Sequence, residues 1–356
     1  MNEVHLVVPE SIDDPDRPSG GNVYDRRVSC ALTALGWFVH EHAVRGSWPT
    51  PAQEDRAAFR DVVSGIPDGA VVLLDGLVAS PVPEVLVPEA ARRLVLVVLV
   101  HMPLGEAPPG QAVAEAVRTR EAMVLSAAAA VVTPGESTRR WLLGRYSLQP
   151  DRVHVAEPGV DAADIAPGTA TGRELLCVAA VTPNKGHDVL LAALATIRHL
   201  GWRCTCVGSL NRDPRFVDRL HRQAREGGIG GRVHFTGPLT GTALAAVYAG
   251  GDLLVLASRM ESYGMVVTEA LARGLPVVAT SVGGLPQVLG PESGGDLPGL
   301  LVPPDSPSAL AEALSAWLDD VDLRRRLRQA AEQRRDTLLG WSATAERMSR
   351  VLAELV

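Results

Sequence analysis

The chain has 356 residues, 46% hydrophobic and 21% charged, a balance typical of soluble globular proteins and enough material for two α/β domains. Its net charge of −7 is unevenly spread: residues 1–166 hold 14 arginines against 22 aspartates and glutamates, net −8, and the remainder stands at +1. The acidic first half argues against nucleic acid or an anionic membrane surface as partner, and the longest apolar run near residue 95, residues 94–100, is too short to cross a bilayer.

No basic stretch followed by a long apolar region opens the sequence, so no signal peptide is expected. Cys30, Cys177, Cys204 and Cys206 form no CxxC pair. Cys204 and Cys206 sit two apart in a strand-like run and are expected as buried thiols on one face. These features point to a reducing cytoplasm. Lys185 is the only lysine among 34 Lys and Arg residues. Such a bias suits a GC-rich genome, and the surviving lysine marks a position that needs a compact ammonium rather than a planar guanidinium.

In chain order, strands are predicted at 4–8, 37–44, 70–74, 94–100, 129–133 and 153–156, separated by helical stretches such as 24–35, 112–127 and 136–143. A second series follows at 174–180, 203–207, 233–235, 253–257, 276–279 and 300–302, with helices at 188–200, 215–225, 243–248, 266–273 and 308–318. Strands alternating with helices of this length form βαβ units and parallel sheets. The fold class expected is therefore α/β, with two Rossmann-like domains facing one another across a cleft. Residues 1–166 form the first domain, 167–340 the second, and 341–356 a helix packed back on the first. The Ala-, Gly-, Thr- and Pro-rich stretch 161–172 is expected as the linker.

Ligands of open parallel sheets bind beyond the carboxyl ends of the strands, so the loops there hold the candidate residues. Pro18-Ser19-Gly20-Gly21-Asn22 follows the first strand. Its paired glycines allow backbone N–H groups to approach a phosphate, and a plain turn is an equal reading. It is neither a GxGxxG fingerprint nor a Walker loop. His101 ends the fourth strand, where it serves either a ligand or the structure. His40 and His42 are two apart with no third ligand following, so they are not read as a metal site. The glycine run 227–231 follows a helix and is read as a turn. Lys185, in the loop 180–186, precedes a helix and suits a diphosphate whose charge grows as it leaves. Glu261-Ser262-Tyr263-Gly264-Met265-Val266-Val267-Thr268-Glu269 follows an apolar strand and enters a helix. Gly264, Met265 and Val266 offer free N–H groups at the helix start, and Glu261 and Glu269 suit sugar and ribose hydroxyls. A capped helix with one solvated glutamate is the alternative on spacing alone.

Along nearly its whole length the chain resembles the retaining glycosyltransferases of family 4, which have the GT-B fold. The resemblance rests on Glu261 and Glu269 as an E-x7-E motif, on residues 131–138, on the turn Glu157-Pro158-Gly159-Val160-Asp161, on 233–237, 244–248 and 270–280, and on Val282-Gly283-Gly284-Leu285-Pro286. It implies transfer of a sugar, with retained configuration, from a nucleotide-diphosphate sugar to a hydroxyl of an acceptor, expected to be small and polar. By position, Glu261 faces the donor sugar with the loop that holds Tyr263, and Glu269 faces the ribose. The amides of Gly264, Met265 and Val266 hold sugar hydroxyls or phosphate. Lys185 holds the diphosphate, Gly20 and Gly21 approach it from the first domain, and His101 touches the sugar. Pro238 and Leu239 border the base. The resemblance implies no metal or other cofactor, which fits the lack of a DxD motif in a suitable loop.

The sequence departs from the family at Ala180, where an arginine is usual; Arg212 and Arg259 are candidate substitutes, Arg212 the preferred one. A nucleotide-sugar epimerase and a non-catalytic nucleotide-sugar-binding protein are the rival readings. The base, the sugar, the acceptor and the oligomeric state are not legible in the sequence.

Overall fold

Segments such as 71–74 and 253–256 are apolar at every position, and every one of these residues is buried. Only strands covered on both faces tolerate this, which is the condition of a parallel sheet flanked by helices. The computed structural model describes residues 2–106, 112–290 and 297–356. It contains two six-stranded, wholly parallel sheets.

The first sheet comprises β1 (Glu3–Pro9), β2 (Phe38–Val44), β3 (Val71–Asp75), β4 (Val95–Leu99), β5 (Ala130–Thr133) and β6 (Val153–Val155), in the order β2-β1-β3-β4-β5-β6. The second comprises β7 (Glu174–Val178), β8 (Arg203–Val207), β9 (Val233–Gly237), β10 (Leu253–Leu256), β11 (Val277–Thr280) and β12 (Gly299–Val302), in the order β12-β11-β10-β7-β8-β9. Each strand predicted from the sequence is present. In the first sheet the chain steps from β1 to one neighbour, β2, and then to the other, β3. In the second it steps from β7 to β8 and later reaches β10 on the opposite side. These reversals are the switch points where loops diverge to opposite faces and leave a crevice at the strand ends.

The chain folds as two compact units. One contains residues 2–13, 20–159 and 340–356; the other contains 14–19 and 160–339. In the first, alternation sends Val72 and Leu74 of β3 to one apolar cluster, and Val71 and Leu73 to another. The second cluster is closed by the helices Gly20–Ala34 and Trp341–Ala353. The latter buries Thr344, Ala345, Met348, Val351 and Leu352, one stripe at helical spacing. Its polar edges are tied by Trp37 Nε1 donating to Ser349 Oγ at 2.8 Å and Thr344 Oγ1 donating to the Glu157 carbonyl at 2.7 Å.

The stretch 161–172 is not a free linker. The Ala166 N–H donates to the Arg273 carbonyl at 2.8 Å, and the Thr169 hydroxyl donates to Asp252 at 2.6 Å. The chain leaves the first unit at Gly159–Val160, before residue 166. A composition without apolar periodicity reads as loop, and it cannot show that Asp252, far along the sequence, captures it.

Candidate active site

In the second unit the loops after β7 and β10 meet because their strands are neighbours at the switch point. After β7 the backbone forms a short 3-10 turn, Pro183–Lys185, and then Gly186 at φ 67°. A side chain at Gly186 would collide with the Ala257 carbonyl just beyond β10, so glycine is required both for its left-handed backbone and for this approach. The result is an ion pair between Lys185 Nζ and Glu261 Oε2 at 2.6 Å, with side chains only 19% and 13% exposed.

Glu261 is cradled from behind. Ser258 Oγ lies 3.4 Å from its Oε2, and Thr280 Oγ1 holds the Ser258 carbonyl at 2.5 Å. The Gly284 N–H donates to the Glu261 carbonyl at 3.1 Å. Gly283, at φ 53°, has room for no side chain because its Cβ would strike that same carbonyl. The Val282-Gly283-Gly284 turn therefore acts as a backbone support for Glu261.

Glu269 stands on the short helix Met265–Leu271. Its Oε2 accepts from the Tyr248 hydroxyl at 2.8 Å, and the Arg273 guanidinium lies 4.5 Å from the Tyr248 ring centroid. Burial lifts the Glu269 carboxyl above the usual range, opposed by the Tyr248 hydrogen bond and the Arg273 charge. Lys185 and Glu261 are thus joined directly, whereas Glu269 is held by Tyr248, a partner the spacing of the motif does not reveal. Gly264 is the buried N-cap of this helix, with Met265 as its first residue; Tyr263 and Val266 pack partly on the core. Pro238 and Leu239 follow β9, both partly buried.

The two candidate substitutes for the absent arginine differ. Arg259 is committed to structure: it contacts both Asp188 oxygens at 2.9 and 2.8 Å and Asp305 at 2.6 Å, and donates to the Pro183 carbonyl. The two carboxylates raise its pKa and fix it as a brace for the Lys185 loop. Arg212 is exposed in the loop after β8 and donates to the Arg17 carbonyl at 3.2 Å, leaving most of its donor edge for a ligand.

In the first unit His101 lies just beyond β4. Its Nε2 is 2.7 Å from Asp25 Oδ1, and its ring rests against Gly21, where an added Cβ would come within 3.0 Å of Cδ2. Gly20 opens the same helix. Asp75, the last residue of β3, caps the turn that follows by accepting from the Leu77 N–H at 2.8 Å. Burial and the neighbouring Asp25 push the Asp75 carboxyl up to about 7. The charges of Asp25 and Asp75 outweigh burial and raise the His101 imidazole above its ordinary value. Asp25, Asp75 and His101 offer ligand atoms within 4.8 Å of one another, the one such group of three among the described residues. The direct Asp25–His101 hydrogen bond favours a shared proton over an ion between them. Both aspartates escaped the sequence reading. Asp75 terminates an apolar strand on the ligand side, and Asp25 lies one helical turn from Gly21; those positions were the available clues.

Two parallel sheets of this topology place the chain in the GT-B fold class. A sucrose-phosphate synthase from Thermosynechococcus elongatus superposes with a TM-score of 0.82 at 22% identity, covering 100% of this chain and 99% of that one. Anabaena HepE in complex with UDP and glucose gives 0.77 at 17%, covering 99% and 100%. At these identities the likeness is one of fold. Residues 166–334 match the family described as Glycosyl transferases group 1. The D-inositol 3-phosphate glycosyltransferase of Corynebacterium glutamicum (strain R) is 33% identical over 235 residues, 60% of this chain and 54% of the relative. That of Corynebacterium aurimucosum is 31% identical over 284 residues, 74% and 65%. The chain thus spans between about half and two thirds of the length of these relatives. Among the described residues no helix is long and apolar enough to cross a membrane.

Proposed function

We propose that the protein is a retaining glycosyltransferase that takes a sugar from a nucleotide-diphosphate sugar and passes it to a hydroxyl of a small polar acceptor. The observation that carries this reading is the Lys185–Glu261 pair at the second unit's switch point, 2.6 Å apart and largely shielded from water. A diphosphate arriving there takes the ammonium for itself and frees Glu261 to accept from sugar hydroxyls. As the glycosidic bond breaks, charge grows on the departing diphosphate, and Lys185 is already in place to oppose it. Arg212 adds the second cation that Ala180 does not supply. Glu269, kept close by Tyr248, accepts from the ribose. The amides of Gly264, Met265 and Val266, with Tyr263, line the sugar and phosphate, while Pro238 and Leu239 border the base. His101, Gly20 and Gly21 are the remaining donor-binding residues of this reading. Lys185 provides the charge compensation, so the reaction proceeds in EDTA.

UDP-hexoses are the first donors to try, since the HepE structures hold UDP and UDP-glucose. Inositol and inositol 3-phosphate are the first acceptors, given the names of the curated relatives. The experiment is transfer across this panel by the wild type, Lys185→Ala and Glu261→Gln, with the anomeric configuration of the product read by NMR. Turnover equal to wild type in both variants overturns the site. Conversion of donor without acceptor indicates an epimerase, and donor binding without transfer or hydrolysis indicates a non-catalytic binder.

A further inference from the structure

The helix Gly20–Ala34 turns three residues of one face onto the His101 ring. Gly21 lies flat against it, since an added Cβ would be 3.0 Å from Cδ2. Tyr24, one turn on, meets the ring edge-on at 5.1 Å and is pinned by its hydroxyl donating to the Ala156 carbonyl at 2.8 Å. Asp25, four residues from Gly21, reaches Nε2 at 2.7 Å. This is i, i+3, i+4 spacing, and it packs the ring against Gly21 and Tyr24 and ties one nitrogen to Asp25.

The electrostatics point the same way. Asp25 and Asp75 are 1% and 3% exposed, and Asp25 Oδ2 is buried without a hydrogen-bond partner. Two bare carboxylates beside a neutral imidazole would bury two uncompensated charges. A proton on the ring balances one of them, and Asp75, pushed up to about 7 by burial and by Asp25, is largely neutral below that pH. Asp25 and Asp75 are the charged groups acting on the ring.

The geometry points to Asp25 as a positioning residue that fixes the His101 ring through Nε2 and holds it as the imidazolium, so that Nδ1 presents a charged N–H to the donor. This assignment rests on the reading of His101 as a donor-binding residue given above. A neutral, freely rotating histidine at the same place offers a weaker and unoriented donor.

The test begins without substrate. Histidine Cε1–H resonances of the full chain are followed through a pH titration, with His101 assigned by its loss in His101→Gln. The His101 midpoint is expected above that of an ordinary histidine. It moves to lower pH in Asp25→Asn and returns in Asp25→Glu, while the thermal midpoint reports whether each variant folds. An unmoved His101 midpoint in folded Asp25→Asn overturns the proposal. Broadening of the His101 resonance alone on adding Mn²⁺ overturns it too, in favour of a metal between the carboxylates.

With UDP-glucose as donor, kcat of Asp25→Asn falls about 100-fold, KM changes by less than about twofold, and the alkaline limb of the kcat profile shifts to lower pH. If His101→Gln turns over at the wild-type rate, the donor-binding reading of His101 fails. If His101→Gln is inactive while Asp25→Asn keeps the wild-type midpoint and kcat, only the positioning role fails.

Discussion

Lys185 and Glu261 show how a pair of opposite charges works as a site. Each is largely shielded and satisfied by the other, so removing one leaves a buried uncompensated charge and, on the proposed reading, a missing ligand contact. Lys185→Ala is expected to lower kcat/KM by roughly 10²–10³-fold, measured in the transfer assay. Lys185→Arg recovers little, because a planar guanidinium cannot replace a compact ammonium 2.6 Å from Glu261 Oε2. Gly283 acts on the same carboxylate through the backbone. At φ 53°, with its Cβ position blocked by the Glu261 carbonyl, Gly283→Ala should cost at least about 1–3 kcal/mol and displace Glu261. A lowered unfolding midpoint together with reduced turnover checks this. Lys185 was legible in the sequence because it is the sole lysine, and Glu261 because of its spacing to Glu269. Asp25 was not legible: one aspartate in a helix looks solvated until the fold brings His101 within 2.7 Å of it.

At the scale of elements, the strand pattern carried most of the information, since an apolar run bounded by turns has few alternatives once helices alternate with it. The pairing of Tyr248 with Glu269 lies beyond that pattern. Two helices, Gly241–Gly250 and Met265–Leu271, must pack before the hydroxyl and the carboxylate come within 2.8 Å. Tyr248→Phe is expected to remove a hydrogen bond of about 1 kcal/mol and, on the proposed reading in which Glu269 serves the ribose and not the reacting carbon, to weaken donor affinity more than it changes kcat. Calorimetry with UDP separates the two effects. The helix Trp341–Ala353 belongs to the first unit although it follows the whole second series in sequence. Met348 is fully buried at its centre, so Met348→Ala should destabilise the first unit by about 2–5 kcal/mol, visible as an earlier first transition in urea unfolding.

At the scale of the whole molecule, Asp75, Glu269 and His101 share one sign. Asp75, Glu269 and His101 all titrate higher in the folded chain than in an unfolded one. The folded state therefore holds protons that the unfolded state has lost. The stability from each group is complete below its unfolded pKa and falls away as pH rises through its folded value, near 7 for Asp75. The thermal midpoint should thus decline from mildly acid to mildly alkaline solution. Asp75→Asn flattens that decline by removing the carboxylate charge that Asp25 opposes. Scans from about pH 5 to about pH 8.5 check the slope, and a steeper decline in the variant contradicts the assignment.

The sequence by itself determined the twelve parallel strands, the doubled α/β plan and the loops in which Lys185, Glu261 and Glu269 stand. These follow from local periodicity and from the rule that ligands meet the carboxyl ends of parallel strands. Tertiary structure alone decided which charges meet. Strand order set β7 beside β10 and so joined Lys185 to Glu261. It also brought Asp188 and Asp305 onto Arg259, Tyr248 onto Glu269, and Asp25 and Asp75 around His101. A charge's partner depends on distances between residues far apart in the chain, and those distances exist only after the sheets have formed.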